Sequence, residues 1–393
     1  MQFSIARLPR VEFGEGCLDK LPAIIQTFGQ RVLFITGKQS LHQSPLWQAL
    51  LAQLKSNNVD CLFASINHEP SPQLVDQISA KHRHDNIDCV VGFGGGSALD
   101  AAKAIAGLLK VDHSVMDFLE GIGPELSYQG PTTPFIAIPT TAGTGSEATK
   151  NAVLSQHGDN GFKKSFRDDK LVAEYTILDP RLLASCPSTL IAANGMDAIT
   201  QLMESYTSTK ANPFTDSLAR SGLLLAKDAL FEWYNNGATA TKAHGEMAYA
   251  AWLSGITLAQ VGLGSVHGLA SPLGAFFPIP HGVVCGTLLA EATAVNIQSM
   301  QQREPNNPAL KKYAEIAEWL TGEQFSEQAS AHMALITLLR QWVDQLKLPR
   351  LSAYHIHEAD FERIIKNARG SSMKTNPIVL TDEEIGAILN ARR

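Results

Sequence analysis

The stretch that most restricts this chain is Cys89-Val90-Val91-Gly92-Phe93, which runs directly into Gly94-Gly95-Gly96-Ser97 and then into Ala98-Leu99-Asp100-Ala101-Ala102-Lys103. An apolar run, a glycine cluster and an alanine-rich amphipathic segment read as a buried strand, a tight turn and a helix. Glycines let the backbone pass close to a diphosphate, and the free amides and dipole at a helix start attract its charge. Glycine strings also serve tight packing, so the surrounding pattern has to decide.

That pattern repeats. Val32-Leu33-Phe34-Ile35-Thr36 ends at Gly37 and precedes an amphipathic stretch from Leu46 to Leu54; Val59 to Ile66 precedes Pro72 to His82. Further strand-like runs are Phe135-Ile136-Ala137-Ile138 and Tyr175-Thr176-Ile177-Leu178. Strands alternating with helices imply an α/β fold, a doubly wound and mostly parallel sheet covered on both faces. After Leu182 the periods are helical throughout, in Ser188 to Tyr206, Thr215 to Ala226, Glu246 to Ala259, Leu310 to Leu320, Ala329 to Leu346 and Glu358 to Asn367. With 393 residues, and about 150 per domain as a guide, the expectation is an α/β dinucleotide-binding domain over 1–182 and an all-helical domain over 183–393.

Composition narrows the partners. A net charge of -6 gives no basic footprint for nucleic acid or an anionic membrane. No run reaches the ~20 apolar residues of a membrane span, and the first thirty residues hold no apolar signal core. Five scattered cysteines without a Cys-x-x-Cys pair suggest small buried thiols in a reducing compartment. The expectation is a cytoplasmic protein acting on small molecules.

The turn Thr140-Thr141-Ala142-Gly143-Thr144-Gly145-Ser146 supplies hydroxyls and small residues after the Phe135 strand. In an open α/β sheet ligands sit beyond the carboxyl ends of strands, so this turn and the glycine cluster suggest one shared nucleotide. The turn Thr36-Gly37-Lys38-Gln39-Ser40 carries no carboxylate to grip a ribose 2'-hydroxyl and does carry a cation, which predicts that NADP(H) is accepted beside Gly37.

In the helical half, Asp197 and Gln201 stand one turn apart on one helical face, and His267 and His281 follow some seventy residues later. Two imidazoles, a carboxylate and an amide oxygen could together hold a divalent cation. Cys285, close to His281, reads as a packing residue.

Over nearly its whole length the chain resembles the iron-containing, or group III, alcohol dehydrogenase family. The resemblance is carried by Glu12-Phe13-Gly14-Glu15-Gly16, by Gly94 to Ser97 with Asp100 and Lys103, by Pro139 through Glu147, by Gly195-Met196-Asp197-Ala198, by the His267 to His281 segment and by Asn376-Pro377. It implies a dehydroquinate synthase-like architecture with the metal in the cleft between the two parts. It also implies that Gly95, Gly96 and Ser97 contact the diphosphate, that Thr140, Thr141, Thr144 and Val153 contact the rest of NAD(P), and that Lys164 neighbours a ribose. Asp197, His267 and His281 become ligands of a divalent ion, Fe2+ first, with Zn2+ or Mn2+ as alternatives. A homodimer is the implied assembly.

Two positions depart from the family, which usually has histidine where this chain has Gln201 and often another where it has Ser271. Gln201 is then either a fourth, harder oxygen ligand or a residue beside a bound water. The implied chemistry is reversible hydride transfer between an alcohol and nicotinamide, with substrate-pocket residues near Asn151, Phe166, Leu258 and Phe276. Two alternatives stand beside it: a lyase similar to 3-dehydroquinate synthase, and a nucleotide-binding relative that has lost its metal.

Overall fold

The computed structural model describes residues 2–37, 44–158 and 161–393. Six strands, β1 (Arg10–Phe13), β2 (Arg31–Gly37), β3 (Asp60–Ile66), β4 (Cys89–Gly94), β5 (Phe135–Pro139) and β8 (Tyr175–Leu178), form one sheet in the order β1-β8-β5-β4-β2-β3. Every pairing in it is parallel. A separate antiparallel pair, β6 (Asn151–Gln156) and β7 (Phe162–Arg167), follows the Thr140 turn. This pair and β1 are additions to the sequence expectation: β1 is only four residues long, and β7 mixes lysines with phenylalanines instead of alternating cleanly.

Strand parity explains how the sheet is covered. Val32, Phe34, Val91 and Phe93 face one core with Leu21 and Ile25 of α1 (Leu21–Gln26) and Trp47 and Leu50 of α2 (Pro45–Ser56). Their neighbours Leu33, Ile35 and Val90 face a second core with Val75 of α3 (Pro72–His82) and Leu99, Ala102 and Ile105 of α4 (Gly96–Leu108). Helices therefore cover both faces, which requires the near-continuous apolar strands seen in the sequence.

The chain moves from β2 outward to β3, then returns across β2 to β4 and continues the other way through β5 and β8. That reversal puts the switch point at the carboxyl ends of β2 and β4, where a doubly wound sheet leaves a crevice. Gly37 and Gly94 meet there: a Cβ on Gly94 would lie 3.4 Å from the Gly37 amide nitrogen. Lys38, Gln39 and Ser40 lie outside the described residues.

From Ser188 onward the described residues form helices and turns only, with α5 (Ser188–Thr207), α6 (Pro213–Asn236), α7 (Thr241–Val261), α8 (Ser265–Phe276), α9 (His281–Arg303), α10 (Pro308–Thr321), α11 (Gln328–Gln345), α12 (Phe361–Asn367) and α13 (Asp382–Ala391). The core that holds Phe34 and Phe93 continues into this half through Met196, Leu230 and Leu273. The turn after β5 is seated on these helices almost backbone to backbone. Gly145, in the left-handed region at φ 61, touches α7 so closely that a Cβ on Gly255 would stand 2.2 Å from its carbonyl oxygen.

This contact makes a sharp comparison within one helix. Gly255→Ala should destabilise by about 1–3 kcal/mol through overpacking. Gly245→Ala, where the nearest atom to a new Cβ is 3.8 Å away, should be neutral or stabilising by roughly 0.5–1 kcal/mol through helix propensity. Thermal and urea unfolding of both variants checks this, and equal effects would contradict the close approach.

Candidate functional site

The two small-residue turns meet at the crevice. The Thr140 amide donates to the Gly94 carbonyl at 3.0 Å. A Cβ on Gly96 would lie 2.7 Å from Thr144 Cγ2, and one on Gly95 would lie 3.4 Å from Thr141 Oγ1. At Gly96 a side chain would press on Thr144 of the second turn, whereas at Gly95 the second turn lies at ordinary contact distance. Gly95, Gly96, Ser97, Thr140, Thr141 and Thr144 all remain partly accessible, so they line an open crevice. α4 begins here with Gly95 as an extended N-cap that makes no side-chain cap bond, leaving its first amides for an anion.

Buried Lys103, two turns along α4, fixes the second turn from behind. Its Nζ donates to the carbonyls of Ser146 at 2.7 Å and Asn151 at 2.6 Å and to Thr149 Oγ1 at 3.0 Å, while Asp100 accepts from Ser146 Oγ. Burial lowers the Lys103 ammonium to about 8 against the pull of Asp100 and Glu147. The Asp100 and Lys103 positions of the sequence motif thus hold the turn's shape.

The β6/β7 pair sorts its residues by parity. Val153 pairs with Ser165 and Ser155 with Lys163, on the face opposite to Leu154 and Lys164. Lys164 therefore sits beside Gly121, away from Val153, whereas Lys163 is largely buried and ion-paired with Glu69 at 2.5 Å. Lys163 also lies about 3.7 Å from where a Cβ on Gly274 of α8 would stand, and its charge acts on His281. Lys164, the lysine that the resemblance implies, thus lies on the opposite face of the pair from Val153, and Lys163 on the same face. Phe166, read as a pocket residue, instead packs in the second core against Phe118 and Tyr128.

On the helical side Asp197 lies within α5 and is fully buried, with Oδ2 lacking a hydrogen-bond partner among the described residues. His267 Nε2 stands 3.2 Å from its Oδ1, and His281 Nε2 stands 3.8 Å from the same atom. Cys285, one turn after His281 on α9, places Sγ 3.6 Å from His267 Nε2 and 3.7 Å from His281 Nε2. One ligating atom from each of Asp197, His267, His281 and Cys285 falls within 4.8 Å of the other three.

Glu204, which the sequence reading missed, supports this cluster. Its Oε1 accepts from the Val266 amide at 2.7 Å and its Oε2 lies 2.7 Å from His267 Nδ1. One carboxylate thus caps α8 and fixes the ring of His267 so that Nε2 faces Asp197, an arrangement typical of metal-ligating histidines. The signal was present: Glu204 follows Asp197 by seven residues and Gln201 by three, on the same helical face. Asn376 completes the cap by accepting from the Ser265 amide at 3.0 Å.

Gln201, expected either as an oxygen ligand or beside a bound water, turns its amide nitrogen toward the cluster. Its Nε2 donates to Asp197 Oδ1 at 3.1 Å and to the Thr144 carbonyl at 3.4 Å, while its Oε1 accepts from Ser254 Oγ at 2.6 Å. An amide facing a carboxylate turns its N–H toward it, and Ser254 secures that orientation. Ser271 donates to the Lys163 carbonyl at 3.1 Å.

The electrostatics favour positive charge beside Asp197. Burial opposes ionisation of Asp197, but the neighbouring His281 and His267 rings hold its carboxyl below the ordinary value. Burial likewise opposes charging of His267, yet Cys285, Asp197 and Glu204 outweigh it and raise its pKa well above the usual imidazole value. His281 is driven down by burial and by Lys163 and His267, despite the pull of Asp197. A carboxylate oxygen without a partner, two convergent ring nitrogens and a sulfur fit a divalent ion. Volume alone would misplace the site: a 630 Å³ groove lined by Leu320, Met333 and Leu338 brings together no such groups.

The family model described as "Iron-containing alcohol dehydrogenase" matches residues 9–180, and "Fe-containing alcohol dehydrogenase family, C-terminal" matches 191–392. Alcohol dehydrogenase 4 of Schizosaccharomyces pombe is 32% identical over 382 residues, covering 96% of this chain and 86% of the relative. Long-chain-alcohol dehydrogenase 1 of Geobacillus thermodenitrificans is 32% identical over 99% of this chain and 97% of its own. The crystal structure of a 1,3-propanediol oxidoreductase superposes with a TM-score of 0.90 at 26% identity, covering all of both chains.

Glu204→Gln should weaken divalent-metal affinity about 10–100-fold by loosening the His267 ring. Competition against a chromophoric chelator measures this, and an unchanged affinity would mean that Glu204 only caps α8.

Proposed function

Because this chain belongs to the iron-containing alcohol dehydrogenase family, we propose that its crevice holds NAD(P) on Gly37, Gly95, Gly96, Ser97, Thr140, Thr141, Thr144 and Val153, facing an ion at Asp197, His267 and His281. The protein is an oxidoreductase acting on the CH–OH group of an alcohol, with the aldehyde or ketone as the reverse substrate. The observation that carries the site assignment is the short link between its halves. Thr144 lies against Gly96 in the nucleotide turn, and its carbonyl accepts from Gln201, whose same Nε2 holds Asp197.

A divalent ion at this cluster supplies Lewis acidity toward an alcohol oxygen, and nicotinamide supplies the hydride acceptor. The chain's own groups position both. Glu204 holds the His267 ring, Gln201 restrains Asp197, and Lys103 keeps the Thr140 turn against the glycine turn. Lys163, on the face of Val153, takes the ribose-side place that the family resemblance gave to Lys164. The synthase-like alternative calls for free positive charge near the substrate, yet Lys163 is already paired with Glu69.

The division at 182/183, the cytoplasmic location and the homodimer belong to the same reading. Among the described residues no helix is long and apolar enough to cross a membrane, and the five cysteines are free thiols.

The test is a panel of primary alcohols, diols and aldehydes assayed with NAD(H) and NADP(H) in the presence of iron, zinc, manganese or no added metal. Metal-dependent turnover of short or medium alcohols supports the reading; no cofactor reduction with any member of the panel contradicts it. Relatives are named for NAD and for NADPH, so the preference lies in local residues. The turn after β2 carries no carboxylate for a 2'-hydroxyl, and a Cβ on Gly37 meets no atom within 4 Å among the described residues. NADPH should serve at least as well as NADH, and Gly37→Asp should shift the kcat/KM ratio toward NADH by about tenfold or more, as expected for one charge-assisted hydrogen bond. A strong NADH preference that Gly37→Asp leaves unchanged would refute this.

A further inference from the structure

We propose that Cys285 is the fourth protein ligand of the ion, taking the place that a histidine at position 201 would fill, so that the donor set is Asp197, His267, His281 and Cys285. This rests on the ion site of the preceding section and goes beyond it by assigning a thiolate ligand.

Three observations converge on Cys285. The first is geometric. With zinc-to-nitrogen and zinc-to-oxygen distances of about 2.0–2.2 Å and zinc-to-sulfur of about 2.3 Å, a tetrahedron has nitrogen-to-sulfur edges of about 3.6 Å and nitrogen-to-oxygen edges of about 3.4 Å. The structure places Sγ 3.6 Å and 3.7 Å from the two ring nitrogens, and those nitrogens 3.2 Å and 3.8 Å from Asp197 Oδ1. Four of the six edges of such a shell are thus close to these lengths, and all four atoms, from three helices, lie within 4.8 Å of one another.

The second is the state of those atoms. Glu204 engages His267 Nδ1, so in the neutral ring the lone pair sits on Nε2, aimed at a carboxylate oxygen and a sulfur. These atoms converge on one buried point, where either a proton on His267 Nε2 or a metal cation can sit between them. Asp197 Oδ2, fully buried, has no hydrogen-bond partner among the described residues.

The third is Gln201. Its oxygen is occupied by Ser254 and its N–H groups point at Asp197 and Thr144, so it presents a donor where a ligand needs a lone pair. Cys285 is buried, stands one helical turn after His281 on the same face of α9, and supplies that lone pair. Binding would exchange the thiol proton, and the Nε2 proton of His267 where the ring carries one, for the ion, the protons leaving to solvent. A thiolate among nitrogen and oxygen donors raises affinity for zinc relative to harder ions.

Cobalt(II) reads the ligand directly. Protein stripped with chelator and given one equivalent of cobalt should show a strong thiolate-to-cobalt charge-transfer band in the near ultraviolet. Gln201→Ala should keep that band. Cys285→Ser, near-isosteric and checked for folding by circular dichroism, should lose it, and its zinc-over-iron affinity ratio should fall at least about tenfold. Stoichiometric cobalt binding without the band in the parent protein overturns the Cys285 assignment while leaving the dehydrogenase reading intact. A band that survives in Cys285→Ser overturns it as well, because another thiol must then be responsible. Failure to bind cobalt at all, together with no alcohol-dependent cofactor reduction, overturns the underlying ion site and this proposal with it. If Cys285→Ser does not fold, the presence or absence of the band in the parent protein decides.

Discussion

The carboxylate of Asp197 is the constraint around which the molecule is arranged. A fully buried charge is tolerated only when it is paired, and removing one partner of a buried pair costs about 3–5 kcal/mol. Asp197 sits within α5, out of reach of water, with one oxygen facing two imidazoles and the Gln201 amide and the other without a partner. The helices around it bring groups to that point. α8 delivers His267 at its first turn, capped by Glu204 and Asn376, and α9 delivers His281 and Cys285 on one face. α9 approaches α5 so closely that a Cβ on Gly282 would stand 2.5 Å from the Ala193 carbonyl.

The turn after β5 is fitted to this point through shared backbone contacts. Gly145 lies against Gly255 of α7, Thr144 reaches Gln201, and Lys103 braces the same turn from the α4 side. Hydride transfer requires two reacting carbons held at near-contact distance, and small displacements reduce the rate steeply. A turn fixed on one side by a buried ammonium and on the other by a helix backbone meets that requirement with little moving structure.

Much of this was legible in the chain itself. Apolar runs of five or more residues ending in glycine marked β2 and β4, because strands buried on both faces need continuous apolar sequence. The pairing of Asp197 with His267 and His281 was visible as a constellation, supported by the family resemblance. What escaped has physical reasons. Lys163 and Lys164 are equivalent in composition and are separated only by strand parity, which depends on where β7 starts. Glu204 was hidden because a glutamate on a helix is usually solvated, and only tertiary contact with α8 gives it a role. Cys285 reads as packing because a buried thiol and a metal thiolate look identical in sequence; only the fold shows two imidazole nitrogens within 3.7 Å of its sulfur. For Gln201 the sequence leaves open an oxygen ligand or a neighbour of a bound water, and the contact that turns its oxygen toward Ser254, some fifty residues away, is visible only in the fold.

The central claim is that the crevice at the switch point and the Asp197 cluster form one active site in which hydride passes directly from an alcohol carbon to nicotinamide. The most direct measurement uses a primary alcohol carrying deuterium at its carbinol carbon, NADP+ or NAD+, and metal-loaded protein in ordinary water. Mass spectrometry of the cofactor should find one deuterium in the reduced nicotinamide ring, and the reciprocal experiment with unlabelled alcohol in heavy water should find none there. Label arriving from solvent, or reduced cofactor that carries no deuterium from the alcohol, would contradict the account.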